Sequence, residues 1–208
     1  MFKALVLQQN NKQTSVHIQQ LDEASLPAEN VEIDVEFSSL NYKDGLAITG
    51  KGRVVKSFPM IPGIDLAGTV NFSEDKRFKA GDKVVVTGYG IGEKHWGGMA
   101  EKAKINADWL VPLTDDLDTK KAMQIGTAGL TAMLCIMALE EAGLTPEHGE
   151  VLVTGASGGV GSVAITLLSA LGYQVVALTG RLENSRELKN LGANRVISRD
   201  EMLTDNKA

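Results

Sequence analysis

The stretch Glu150-Val-Leu-Val-Thr-Gly155-Ala-Ser-Gly-Gly-Val160-Gly161 decides the fold. Val151, Leu152 and Val153 are aliphatic without polar alternation, the pattern of a parallel strand buried on both faces. Beyond the glycines, Val160, Val163, Ala164, Leu167, Leu168 and Leu171 recur at helical spacing and predict one apolar face. Gly172 stands where a left-handed residue ends such a helix. Strand, glycine turn and helix together make a phosphate site. Glycine lets the backbone approach a diphosphate, and free N–H groups at the helix start favour negative charge. In the frame of the dinucleotide fingerprint the three positions are Ala156, Gly158 and Gly161, with alanine in place of the first glycine. A strand before it, a helix after it and a second strand at Gln174–Leu178 give this pattern its force. Ser157, Gly158, Gly159 and Val160 are therefore expected to line a diphosphate. The bland alternative is a tight strand-to-helix turn that binds nothing.

The end of the second strand carries cofactor choice. An NAD site wants Asp or Glu there, bonded to the ribose 2′-hydroxyl. This chain has Thr179-Gly180-Arg181 instead: a hydroxyl, a residue without a side chain and a guanidinium, which suit a 2′-phosphate. Glu183 lies past the strand end. NADP(H) is the expected cofactor. A second helix (Glu183–Leu191) and a third strand (Arg195–Ser198) follow, and Arg199 after that strand is either a contact to the adenosine end or a solvated surface arginine. Residues 150–198 thus supply β-α-β-α-β, half of a doubly wound sheet, so a C-terminally truncated fragment of a longer enzyme is expected.

The 208 residues carry a net charge of −5 with 43% apolar and 23% charged residues, an ordinary soluble composition without a basic nucleic-acid surface. One cysteine, Cys135, excludes an internal disulfide and a cysteine-rich zinc site; in its apolar run it reads as a small buried hydrophobe. No export signal opens the sequence, and the longest apolar run, Ala132–Leu139, is far short of a membrane span. A cytoplasmic protein with no membrane partner is expected. Up to about Leu117 the sequence is mostly β. Val31 to Phe37 alternates strictly, with Val31, Ile33, Val35 and Phe37 inward. Further strands are expected at Ala4–Leu7, Leu66–Val70, Lys83–Thr87 and Gly98–Ala103, separated by Gly/Pro turns, as in a partly closed barrel. Asp118–Ala142 reads as a helix capped by Asp118 or Thr119 and ended by Gly143. It is apolar nearly all round, hence expected to be buried. Gly126 and Gly129 within it imply close backbone packing or a nearby ligand.

Leu40-Asn-Tyr-Lys-Asp44, Pro62-Gly-Ile-Asp-Leu-Ala-Gly68, Phe78-Lys-Ala-Gly-Asp-Lys-Val84 and Gly126-Thr-Ala-Gly129, followed by Ala156-Ser-Gly-Gly-Val-Gly161, resemble a medium-chain dehydrogenase/reductase along the whole chain. Asn41 to Asp44, His95-Trp96-Gly97-Gly98 and Thr179 to Arg181 are similar to the zinc-free bacterial quinone oxidoreductase branch, which includes NADPH-dependent acryloyl-CoA reductases. The resemblance implies an α/β plus β fold: a GroES-like β barrel domain over residues 1–117, then an incomplete Rossmann NADP-binding domain over 118–208, with homodimers in the full-length form. Zinc-dependent relatives place a Cys near Asn41, a His-Glu pair near Ile64-Asp65 and four cysteines in a separate lobe. This chain has none of these, and His17, His95 and His148 lack ligand spacing, so no metal is expected.

Without a metal to polarise a carbonyl, the natural chemistry is hydride transfer to an activated C=C bond, from acryloyl-CoA to propanoyl-CoA, or reduction of a quinone. The enolate oxygen needs hydrogen-bond donors and Cα needs a proton. Tyr42 is the expected donor and a cofactor contact; the alternative is a capped helix start with Tyr42 as packing. Asp65 is expected to order the β-domain turn, and His95-Trp96 to be structural. Two rivals remain. Thr154-Gly155-x-x-x-Gly159-x-Gly161 fits a short-chain dehydrogenase, but Tyr173, the only later tyrosine, is followed by Ala177 where lysine is needed. The other rival is a nucleotide-binding fragment without catalysis.

Overall fold

The computed structural model describes residues 1–204 and divides into two compact units, Met1–Thr127 and Ala128–Ala208. In the first, β1 (Phe2–Asn10) and β2 (Gln13–Leu21) form an antiparallel hairpin. Its tip, Asn11-Lys12, takes φ of 48° and 65°, as a two-residue mirror-image turn demands. β2 has no apolar signature, and its Ile18 is exposed. Next come β3 (Val31–Phe37), α1 (Tyr42–Thr49), β4 (Asp65–Ser73), β5 (Lys83–Thr87), β6 (Lys102–Ile105) and β7 (Val111–Pro112). The five strands form one antiparallel sheet in the order β6-β3-β4-β5-β7. Val31, Ile33, Leu66, Val70, Val84, Val86 and Ile105 fill its core.

Two expectations shift here. Val31 and Ile33 are fully buried, but Phe37 is 40% exposed, because the register with β4 slips between Val35 and Phe37 and turns that side chain outward. The strand expected at Gly98–Ala103 forms at Lys102–Ile105. The N–H groups of Gly97, Gly98 and Met99 are taken by the carbonyls of Ile61, Gly63 and Pro62 instead of a strand ladder.

Helix α2 (Thr119–Glu141) runs from the first unit into the second. Asp118 Oδ1 accepts from Lys121 N at 2.7 Å, which makes Asp118 the cap. Thr119 instead donates its hydroxyl to Glu36 Oε2. Gly126 breaks the helix with φ 52° and ψ −162°, a conformation open to glycine, and a Cβ there would meet Ser39 Oγ at 2.8 Å. The expectation of a buried helix fails. Ala122, Met123, Ala132 and Ile136 turn into the cores of their units, while Leu130, Leu134, Met137 and Leu139 are 43 to 55% exposed. Cys135 is likewise exposed, not buried. By length and composition alone α2 could cross a membrane; its four core residues are those of a helix packed in a globular fold.

The second unit continues with β8 (Glu150–Val153), α3 (Gly159–Ala170), β9 (Gln174–Thr179), α4 (Ser185–Asn190), β10 (Arg195–Ser198) and α5 (Arg199–Thr204). The strands are parallel in the order β10-β9-β8, the β-α-β-α-β half-sheet expected. β8 is not buried on both faces. It is an edge strand whose Leu152 is 43% exposed, while Val176, its register partner on the central strand β9, is buried. The buried face of α3 is Gly161, Ile165 and Leu168, with Val160 and Leu171 outside it, so the apolar stripe is rotated from the expected one. Gly172, at φ 88°, ends that helix as expected, with Tyr173 N bonded back to Leu168 O.

Candidate functional site

The turn between β8 and α3 is built by backbone contact. Gly155 takes φ 58°, and a Cβ on Gly161 would sit 2.4 Å from Gly155 O, so only glycine lets α3 start this close to the strand. Ala156 N donates to Leu178 O on β9 and ties the turn to the sheet. The residue that caps α3 is Gly158, which has no side chain with which to do so, so the first N–H groups of the helix lack an intrahelical or side-chain acceptor.

A cavity of about 520 Å³ opens at this turn. Ser157, Gly158, Thr179, Gly180, Arg181 and Arg199 line it, together with Thr154, Gly155 and Leu178. Thr179 is buried and fixes both sides. Its Oγ1 lies 2.8 Å from Ser157 Oγ and accepts from Arg181 N at 3.0 Å. Arg199, the first residue of α5, lays its guanidinium across Gly180, where a Cβ would meet Nη2 at 3.3 Å. Among the described residues no carboxylate lines the cavity, and neither Arg181 nor Arg199 is paired with an acid. Two guanidiniums, two hydroxyls and exposed amides can hold a phosphorylated ribose and a diphosphate. Gly159 and Val160 line a neighbouring apolar hollow with Ala132, Ile136 and Ala164. Thr154 and Gly155 were not among the expected site residues, although their place in the quoted turn was the signal.

Tyr42 belongs to the first unit. It is the first residue of α1 and 84% exposed. The helix start around it is a closed polar lock. Asp44, 1% exposed, accepts from Asn41 N at 2.9 Å through Oδ2 and from Gly63 N and Ile64 N at 3.2 and 3.1 Å through Oδ1. Burial raises its carboxyl above the ordinary Asp range, with the hydrogen bonds from Asn41 and Ile64 opposing the rise and the nearby Asp65 charge adding to it. Asp65 is fully buried and does more than order a turn. It accepts from Ser39 N and Oγ, Asn41 Nδ2, and Thr127 N and Oγ1 at 2.5 to 3.2 Å, joining the loop before α1 to the break in α2. That reach to Thr127 had no sequence signal beyond a lone acid in an apolar run. Lys43 pairs with Glu93 at 2.7 Å. His95 packs on Trp109 at 4.7 Å, Trp96 donates to Pro59 O, and His148 bonds Thr145. Among the described residues no three His, Cys, Asp or Glu side chains converge as metal ligands.

An antiparallel β domain followed by a glycine-turn half-sheet is the two-part layout that the medium-chain dehydrogenase/reductase resemblance implied, and the comparisons with known proteins bear that resemblance out. Residues 27–115 match the alcohol dehydrogenase GroES-like domain. The chain is 60% identical to "Probable acrylyl-CoA reductase AcuI" of Escherichia coli over 96% of its length, and 54% identical to "Acrylyl-CoA reductase AcuI" of Ruegeria pomeroyi over 97%. It spans 61% and 62% of those two relatives. Among solved structures it is similar to the yhdH oxidoreductase of Salmonella enterica in complex with NADP, with a TM-score of 0.94 and 60% identity. That match covers 96% of this chain and 61% of the other. The yhfP protein of Bacillus subtilis, solved with NAD bound, gives 0.93 and 49%, again over 96% of this chain and 61% of the other.

Proposed function

We propose that the chain supplies the GroES-like catalytic domain (1–117) and the first half of the NADP-binding domain (118–208) of a cytoplasmic reductase. In this reading the enzyme reduces an activated C=C bond, with acryloyl-CoA going to propanoyl-CoA, and needs no zinc. The observation that carries the reading is the cavity, without an acid among its described lining residues, in which Arg181 and Arg199 flank Gly180 beside the glycine turn. Bound NADPH supplies a hydride to Cβ of the enoyl thioester. The amides of Gly158 to Val160 and the Ser157 hydroxyl hold the diphosphate, while Thr179, Gly180, Arg181 and Arg199 receive the adenosine 2′-phosphate. Tyr42, with its side chain free in solvent, contacts the cofactor, hydrogen-bonds the enolate oxygen and delivers the proton to Cα. The full-length enzyme works as a homodimer on a small-molecule substrate, without nucleic-acid or membrane partners. The second reading, quinone reduction, rests on the same cavity and on the family's quinone oxidoreductases.

The test is NADPH oxidation followed with acryloyl-CoA and with a quinone, by this chain and by a version extended to the length of its relatives. Acryloyl-CoA turnover by the extended protein is expected; turnover of neither substrate removes the enzyme reading and leaves a nucleotide-binding fragment. Tyr42→Phe in the extended protein is expected to slow acryloyl-CoA reduction roughly a hundredfold with little change in NADPH affinity. Unchanged turnover confines Tyr42 to packing.

A further inference from the structure

A second hollow, about 610 Å³, lies wholly within the first unit, between the tip of the β1–β2 hairpin and the chain that leaves α1. Its rim carries Lys12, Lys51, Arg53 and Lys56, and its wall includes Val55 and Phe58. The backbone sets this arrangement. The mirror-image turn at Asn11-Lys12 holds Lys12 at the hairpin tip, and Thr14 packs so close to the end of α1 that a Cβ on Gly50 would lie 2.8 Å from its hydroxyl. Elsewhere in the unit several cations are matched by acids, Lys102 by Glu23, Glu32 and Asp34, Arg77 by Asp75 and Asp108, Lys43 by Glu93 and Lys121 by Asp118, while other lysines stand singly on the surface; this hollow is distinguished by gathering four cations at one place. None of the four rim cations is paired with an acid among the described residues, and Lys56 Nζ reaches only the Arg53 carbonyl at 3.2 Å. The chain has 26 acids against 21 Lys and Arg, so four unmatched cations around one hollow run against its overall charge. Like charges held together repel each other, and a polyanion between them turns that repulsion into charge-assisted hydrogen bonds.

We propose that this hollow binds the phosphate groups of an adenine nucleotide moiety, with Arg53 and the three lysines on the phosphates and Val55 and Phe58 as the apolar wall beside the base. The chemistry is shared by two sources: the nucleotide end of coenzyme A on the substrate, and a free phosphorylated nucleotide. Only the first source rests on the enoyl-thioester reading; the site itself does not.

Binding of adenosine 3′,5′-bisphosphate to this chain, measured by calorimetry, is the direct test. Arg53→Gln/Lys56→Gln is expected to weaken it roughly tenfold or more while NADPH affinity stays unchanged. Lys79→Gln/Lys120→Gln, an equal charge change away from the hollow, is expected to leave it intact. Circular dichroism and thermal melting confirm that both variants fold. No binding by the native chain, equal loss in both double variants, or binding matched by inorganic phosphate at the same concentration (an adventitious anion surface) overturns the proposal. In the extended protein, a raised KM for acryloyl-CoA at constant kcat, absent with an acryloyl thioester lacking the nucleotide, assigns the site to the substrate. Bisphosphate binding that responds to the variants while KM does not assigns it to a free nucleotide. Absence of any acryloyl-CoA turnover removes the reductase reading and leaves the bisphosphate result standing.

Discussion

Two helix starts, α1 in the first unit and α3 in the second, meet the same electrostatic problem and solve it in opposite ways. Each presents N–H groups without an intrahelical acceptor and a positive dipole end. At α1 the sequence brings its own anions. Asp44 closes on Asn41 N and on the Gly63-Ile64 amides, and Asp65 beside it absorbs five further donors. At α3 the capping residue is Gly158, without a side chain, and the nearby charges among the described residues are two guanidiniums with no acid between them. A helix start filled by its own carboxylates is structural; one left bare beside unpaired cations is a place for a ligand's charge.

The sharpest way to break the comparison is to empty the filled side. Asp65→Ala leaves the donors of Ser39, Asn41 and Thr127 without an acceptor in the interior, and a loss of about 3–5 kcal/mol in unfolding free energy is expected in urea titrations. A loss under about 1 kcal/mol shows a slack network that water can replace. Filling the empty side is the converse. Gly158 has φ −90° and ψ 169°, open to any residue, so Gly158→Asp gives α3 the cap that α1 has. Stability is expected to change by no more than about 1 kcal/mol, because the gained cap offsets the tight 3.2 Å approach of the new Cβ to Gly155 O. NADPH affinity is expected to fall roughly a hundredfold, since a carboxylate then occupies the diphosphate's place. NADPH binding that survives this change removes the α3 amides from the site.

Arg181→Asp sharpens the same contrast at the far end of the cavity. An acid there copies the residue that NAD sites carry, so NADPH affinity is expected to fall at least about tenfold more than NADH affinity in parallel fluorescence titrations. Equal losses refute a 2′-phosphate role for this arginine. The similarity to a structure solved with NAD makes this measurement discriminating within the family.

What the sequence disclosed follows the range of the forces involved. The β8-turn-α3 unit, β9, β10 and the Gly172 stop depend on residues a few positions apart, and all were legible. So was the gathering of Ser157, Thr179, Gly180, Arg181 and Arg199 in one cavity, because parallel β-α-β winding brings successive strand ends together. Burial was read less well. Leu152, Val160 and Cys135 look like core in an apolar run, yet each is exposed, because the surface covering an apolar residue is set by distant chain and not by its neighbours. β2 escaped because Gln13–Leu21 buries little, being held mainly by its ladder to β1. The Asp65 network escaped because Ser39, Asn41 and Thr127 are brought to one carboxylate only by tertiary packing.

The smallest expected effect lies in the acid limb of stability, and it comes from Asp44. Burial raises its folded-state carboxyl above the unfolded value, helped by the charge on Asp65 and opposed by the N–H groups of Asn41 and Ile64. Between the two values the folded chain binds the more protons, so this group makes stability fall as pH rises. The cost of burying the charge is complete above the raised folded value and absent below the unfolded one. Most paired carboxylates act in the opposite sense, so the residue is best isolated by difference. Asp44→Asn keeps an acceptor for Gly63 N and Ile64 N but turns an amide toward Asn41 N, a constant offset that does not titrate near neutrality. Urea unfolding of both proteins from about pH 4 to pH 7 is expected to show the advantage of the native chain over the variant shrinking as pH rises. An advantage that grows with pH means that the donors at the start of α1 outweigh its burial, making Asp44 as strong an electrostatic lock as Asp65.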